Sequence, residues 1–258
     1  MSPCISRDGT TIAFDQLGQG PPLILVLGAF NDRRTGAALS QRLSARFQVF
    51  NYDRRGRGRS ADAAHGSANP YEIERELEDL DALIAAAGGS AAVCGYSSGA
   101  ALALLAAARG ASISRLALYD VPPPQSPAHA AQLAALIAAQ RRGDAVEYFQ
   151  RSVVGIPEAV VAQLRHAPFR PALEALAHTL VYDAKLIASD RITAELLAKV
   201  PTPTLAIAGS ESPPLLREAS ERVARALPHG RALTLVDANH DLAPELLAPE
   251  LEAFFKTS

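Results

Sequence analysis

The chain has 258 residues, 48% hydrophobic and 20% charged, with 25 basic and 27 acidic side chains that leave a formal net charge of −2. That length and balance support a substantial buried core, which excludes disordered and fibrous architectures and leaves one or two domains open. Near-neutral charge offers no positive footprint for nucleic acid or an anionic membrane, so the expected partner is a small-molecule substrate.

The first elements read as short strands, around Ile5 and over residues 10–17, closing on the turn Gly18-Gln19-Gly20-Pro21-Pro22. Residues 23–27 are apolar without alternation, as in a strand buried on both faces of a parallel sheet, and a helix-like segment follows at 35–45. Residues 47–52 repeat the strand pattern and lead into the loop Asp53-Arg54-Arg55-Gly56-Arg57-Gly58-Arg59-Ser60. Asn69 as cap and Pro70 at the first position announce a helix with the apolar face Ile73, Leu77, Leu80, Leu83 and Ile84, ended by Gly88 and Gly89. Four more strands are predicted at 91–94, 115–119, 204–208 and 233–236, with helical patterns between them. Alternation of this kind implies an α/β fold with a mostly parallel sheet covered on both sides. Residues 121–200 break the rhythm. They contain helical patterns such as Leu133-Leu136-Ile137 and Leu173-Leu176-Leu180, and prolines at 122, 123, 124, 157, 168 and 171. We read a helical insertion over one sheet edge, within a core formed by 1–120 and 201–258; the plainer alternative is two ordinary crossover helices.

Cys4 and Cys94 are far apart, and Cys94 lies in an apolar strand, which argues against a disulfide framework. The first seven residues lack the features of a secretory signal and no apolar stretch approaches a membrane span, so the chain reads as cytoplasmic. No metal-ligand cluster or cofactor motif is present: Gly56-Arg57-Gly58 lacks the strand-to-helix context of a dinucleotide site. Nothing in the sequence fixes an oligomeric state.

The sharpest signal is Cys94-Gly95-Tyr96-Ser97-Ser98-Gly99-Ala100, a Gly-x-Ser-x-Gly pattern between an apolar strand and an Ala/Leu helix. A serine on such a turn has a strained backbone and crowded neighbours, hence glycine on either side. The turn lifts the Ser97 hydroxyl above the strand carboxyl ends, where open α/β sheets bind ligands. A serine hydroxyl needs a base, usually a histidine oriented by a carboxylate. Of His65, His129, His166, His178, His229 and His240, only His240 follows the last strand, on the same rim as Ser97.

These features together resemble the α/β-hydrolase fold superfamily over nearly the whole chain. The matching segments are residues 23–28, the D-x-R-G-x-G-x-S loop at 53–60, Gly95 to Gly99, the strand at 201–209, and His240 before a last helix with Pro249 and Phe254. The resemblance implies an eight-stranded, mostly parallel sheet flanked by helices, a helical cap at 121–200, Ser97 as nucleophile and His240 as base. It further implies an oxyanion hole from the backbone N–H groups of Ala29 and Ser98. Related dehalogenases and epoxide hydrolases carry aspartate in place of Ser97, which argues against those chemistries.

Three departures stand out. Leu27-Gly28-Ala29-Phe30 lacks the His-Gly that often braces the family's oxyanion loop, which predicts a looser hole. Gly209-Ser210-Glu211-Ser212 puts serine where the family's acid commonly stands, and Asn239 replaces the glycine that often precedes the histidine. Asp120, at the end of the sixth strand, is preferred as the acid because some family members use that position; Glu211 and a site with no direct acid are the alternatives. Arginines 33, 34, 54, 55, 57 and 59 read as solvated surface or as an anion clamp. The leading function is an esterase-like serine hydrolase of a small ester, thioester or lactone. A lyase or cyclase on the same fold, and a catalytically silent ligand-binding protein, are the competing readings.

Overall fold

A computed structural model of the protein describes residues 2–62 and 71–256. Its eight strands are β1 Ser2–Ile5, β2 Thr11–Leu17, β3 Pro22–Val26, β4 Gln48–Tyr52, β5 Ala91–Tyr96, β6 Ile113–Tyr119, β7 Thr204–Gly209 and β8 Gly230–Leu235. They form one sheet in the order β1-β2-β4-β3-β5-β6-β7-β8. The pairs β1–β2 and β2–β4 are antiparallel, and every later pair is parallel. Each predicted strand overlaps one of these, with Thr10, Leu27, Phe47 and Val236 falling just outside, and β3 and β5 are buried along nearly their whole length, which is why their sequences run apolar without alternation.

Helices α1 Ala37–Leu43, α2 Ile73–Ala86 and α3 Ser98–Ala108 link the first parallel strands, and α10 Pro214–Ala226 and α11 Pro244–Lys256 flank the last two. Ile73, Leu77, Leu80, Leu83 and Ile84 of α2 are all buried, as their spacing requires, and the helix gives way to Gly88 and Gly89 at positive φ. The predicted cap residues Asn69 and Pro70, like His65, lie outside the described residues.

Between β6 and β7 the chain forms six short α-helices: α4 Ala128–Ala138, α5 Arg142–Tyr148, α6 Glu158–Leu164, α7 Arg170–Ala175, α8 Leu180–Leu186 and α9 Ala194–Leu197. A π-helical turn, Phe149–Val154, follows α5 directly. Two ordinary crossover helices do not describe this stretch. Leu133, Leu180 and Leu186 share a core with α2, α3 and one face of the sheet, and a second core joins the opposite face to α1 and α11. Among the described residues no helix is long and apolar enough to cross a membrane. Cys4 and Cys94 are free thiols, and burial pushes the Cys94 thiol up to about 12.

Strand order reverses between β3, whose next strand β4 lies on one side, and β5 on the other. Loops leaving the carboxyl ends of these neighbours diverge, and the crevice between them is where such sheets accommodate ligands.

Candidate active site

Ser97 follows β5 with φ 54° and ψ −126°, a backbone that costs an L residue on the order of 1–3 kcal/mol. Its flanking glycines are required by close approach. A Cβ on Gly95 would lie 2.6 Å from Ala100 Cα, and one on Gly99 would lie 2.1 Å from the Val26 carbonyl oxygen. Phe30 and Asp120, on the loops after β3 and β6, also have positive φ, 61° and 51°. Three strained backbones thus border one crevice.

Asp120 is fully buried, and its Oδ2 lies 2.8 Å from His240 Nδ1. The same oxygen accepts a hydrogen bond from Ser212 Oγ at 2.7 Å, and Oδ1 accepts one from the Gly209 amide at 3.3 Å. The serine standing at the common acid position therefore serves as a donor to a carboxylate supplied by the neighbouring strand. Glu211 is exposed, with its carboxylate on Ser210 Oγ, and does not partner His240. The loop bearing His240 is held from below: Tyr96 Oη donates to the His240 carbonyl at 2.7 Å, and Tyr119 Oη donates to the Asn239 carbonyl. Burial, reinforced by the charges of Asp241 and Asp120, pushes both phenols up, which keeps them protonated as donors.

Of the six arginines, Arg34 and Arg59 are exposed, as the surface reading expects, whereas Arg54, Arg55 and Arg57 are buried in ion pairs within the fold. Arg54, Arg55 and Arg57 are each only 1% exposed. Arg55 pairs with Asp79 and Asp8. Arg54 makes a two-pronged contact with Glu76, both bonds 2.7 Å, and donates to Asp183 at 2.9 Å and to the Leu27 carbonyl at 3.1 Å. Arg57 donates to both Asp183 oxygens, at 2.9 and 2.8 Å, and to the Gly28 carbonyl at 2.7 Å. Asp183, on α8, also accepts the Ser98 hydroxyl at 2.7 Å. Burial alone raises Asp183, but the charges of Arg57 and Arg54 and the Ser98 hydroxyl hold it below the usual carboxylate range. Arg33 is tied to Asp53 and Asp15, and Arg34 pairs with Asp32 at the surface. The predicted looseness of the loop after β3 is thereby corrected: side chains from elsewhere in the fold replace the missing brace.

A cavity of about 400 Å³ lies over these groups. Ser97, Ser98, Ala29 and His240 form its floor, and Phe30, Phe149, Val153, Leu173, Ile187 and Leu216 stand among its largely apolar walls. The amides of Ala29 and Ser98 have no acceptor among the described residues. Ser97 Oγ likewise has no hydrogen-bond partner among them, His240 included. Contacts of this kind commonly tighten only once substrate is bound. Gln150, on the π-helical turn, lines the cavity at 5% exposure with its Oε1 unpaired among the described residues. No sequence pattern marked it; its position depends on a π turn that periodicity does not register. Of the other histidines, His129 meets Tyr148 Oη, His178 meets the Gly56 carbonyl, and His166 and His229 are exposed; none of them lines this cavity.

A family model described as the alpha/beta hydrolase family matches residues 23–251. No curated protein matches the chain. Among solved structures, an alpha/beta hydrolase from Sphaerobacter thermophilus is 45% identical, with 99% of this chain and 100% of that one covered and a TM-score of 0.90. An enol-lactonase from Burkholderia xenovorans shares 24% identity over 99% of this chain and 97% of its own, with a TM-score of 0.70. An esterase from a Rhodococcus species shares 20% identity over 99% and 98%, with a TM-score of 0.71. Likeness at these two lower identities concerns the fold.

Proposed function

The chain belongs to the alpha/beta hydrolase family, and on that premise we propose that it is a serine hydrolase cleaving small, uncharged acyl compounds, an ester, thioester or lactone, through an acyl-enzyme. One observation carries the proposal: His240, held by buried Asp120 at 2.8 Å, lines the same cavity as the strained Ser97. Ser97 Oγ attacks the substrate carbonyl while His240 Nε2 takes its proton. Asp120 fixes the imidazole tautomer and stabilises the imidazolium that forms. As the tetrahedral intermediate collapses, His240 returns the proton to the departing alcohol or thiol. Water activated by the same base then releases the acid. The negative oxygen that appears in each half-reaction is met by the amides of Ala29 and Ser98, the latter at the positive end of α3.

The altered acid position that motivates a lyase or cyclase has a compensating residue in Asp120, which favours hydrolysis. In this reading α4–α9 act as the cap that shapes the chamber. Among the described residues no carboxylate, lysine or arginine lines the cavity, whose titratable groups are His240 and the Tyr96 phenol, so a charged substrate would lose hydration without gaining an ionic partner. Neutral p-nitrophenyl butyrate is expected to be hydrolysed by the wild type and not by Ser97→Ala. A p-nitrophenyl ester of similar length ending in a carboxylate is expected to show kcat/KM at least about 100-fold lower, equivalent to about 2.7 kcal/mol. Equal turnover of the two esters would refute the assigned substrate class, and activity retained by Ser97→Ala would refute the mechanism.

A further inference from the structure

Three consecutive carbonyls of the loop after β3 are held by side chains. Arg54 Nη1 donates to Leu27 O at 3.1 Å, Arg57 Nη1 to Gly28 O at 2.7 Å, and Asn31 Nδ2 to Ala29 O at 2.7 Å. The middle contact bears on catalysis. In a trans peptide the carbonyl and the following N–H point in opposite directions, so fixing Gly28 O fixes the direction of the Ala29 N–H. A guanidinium on that carbonyl also polarises the peptide and makes its N–H a better donor. A Cβ on Gly28 would sit 2.8 Å from Ser97 Cβ, which places this peptide directly beside the serine.

We infer that Arg57, itself clamped by Asp183 from α8, is a positioning residue that aims the Ala29 N–H at the carbonyl oxygen of the substrate. This rests on the reading of Ala29 as an oxyanion donor. Two features separate the role from plain structural pairing. Arg57 directs Nη1 to the loop and Nη2 to Asp183, while its buried Nε has no acceptor among the described residues. An arginine placed for stability alone would be expected to satisfy all of its buried donors. Asp183 also accepts the hydroxyl of Ser98, whose own amide is the second oxyanion donor. One carboxylate on α8 therefore touches both sides of the hole, through Arg57 on one side and directly on the other. That couples the helices over the cavity to the alignment of the reacting centre.

The test uses Arg57→Gln and the double variant Arg57→Gln/Asp183→Asn, which removes one charge of each sign together and so avoids stranding a buried charge. Crystal structures of both read the Gly28–Ala29 peptide directly, with no need for turnover. The expected result is a peptide rotated so that the Ala29 N–H no longer faces Ser97. With p-nitrophenyl butyrate, kcat is expected to fall about 10- to 100-fold in Arg57→Gln, with KM changed less than about threefold. The inhibition constant of an alkyl trifluoromethyl ketone, which forms a tetrahedral adduct on the serine, should rise by the factor by which kcat/KM falls. A peptide that keeps its orientation in both variants overturns the inference. So does a rotated peptide with unchanged kinetics, or a loss of kcat without matching loss of ketone affinity, which is the mark of general loosening. Failure of the hydrolase reading looks different: the wild type would neither turn over esters nor bind the ketone, and the peptide orientation in the two variants would still decide the role of Arg57.

Discussion

Asp120 has an unusual load for one side chain, since its two oxygens take His240, the Ser212 hydroxyl and the Gly209 amide, all in full burial. Together these contacts restrict the rotation of the carboxylate and hold Oδ2 against the imidazole. Asp120→Asn would offer His240 the wrong hydrogen-bonding partner while preserving shape. The expected outcome is a fall in kcat of about 10³- to 10⁴-fold, whereas Glu211→Gln should leave kcat within about twofold. Steady-state kinetics on one neutral ester checks both, and a larger loss in the Glu211 variant would reverse the assignment. The sequence marks Ser97 and His240 as candidates locally, one by glycines two residues away and the other by a strand end. The acid could only be narrowed to alternatives. Choosing between Asp120 and Glu211 turns on which way two neighbouring strand ends direct their side chains, and residue spacing carries no record of that. Three of the six arginines, Arg54, Arg55 and Arg57, differ from the surface reading for a related reason. Their loop looks like surface because it is polar, but Glu76 and Asp79 on α2 and Asp183 on α8 come from distant segments to neutralise it.

At the scale of elements, α8 joins the sheet domain through Leu180 and Leu186 in the shared core, through Tyr182 and Lys185, and through the buried carboxylate of Asp183. Asp183 contacts Arg54 and Arg57 directly, at 2.9 and 2.8 Å, and Glu76 balances the second charge. Removing one partner from such a cluster leaves an uncompensated buried charge, so Asp183→Asn is expected to cost about 3–5 kcal/mol in urea unfolding. The pH dependence has a definite sign. Folding lowers the pKa of both Asp183 and Glu76, against the opposing effect of burial, through the charges of the arginines. The unfolded chain then binds protons more readily than the folded one. The stabilisation is complete above the unfolded carboxylate range, near pH 4, and is lost as the pH falls through the lower folded values. Unfolding free energies measured from about pH 7 to pH 3 should decline more gently in Asp183→Asn than in the wild type. An identical slope would show that Asp183 is not held ionised by this cluster. The helical character of residues 121–200 was legible from apolar spacing: Leu133-Leu136-Ile137 falls in α4, while Leu173-Leu176-Leu180 runs across the junction of α7 and α8. The ionic part of their attachment was not, because Asp183 meets arginines 126 and 129 positions away.

For the molecule as a whole, the sheet explains why so much of the fold was readable in advance. β3 and β5 lie side by side in the middle of the sheet, and double-sided burial writes an unbroken apolar run into each. Their adjacency, with the reversal in strand order, puts the loop at 27–31 beside Ser97 and creates the crevice. Walls of that crevice come from the π turn, from Leu173 of α7 and from Leu215 and Leu216 of α10, whose packing depends on tertiary contacts rather than on periodicity. Near-neutral overall charge fits a chamber with largely apolar walls, where selectivity comes from shape and local groups instead of long-range steering. Mass spectrometry reads out the proposed acylation of Ser97 with His240 as its base. Intact protein treated with a fluorophosphonate should gain the mass of one adduct, peptide mapping should locate it at Ser97, and His240→Ala should label far more slowly. Ester turnover by an enzyme whose Ser97 stays unmodified, or equal labelling of Ser97→Ala, would contradict it.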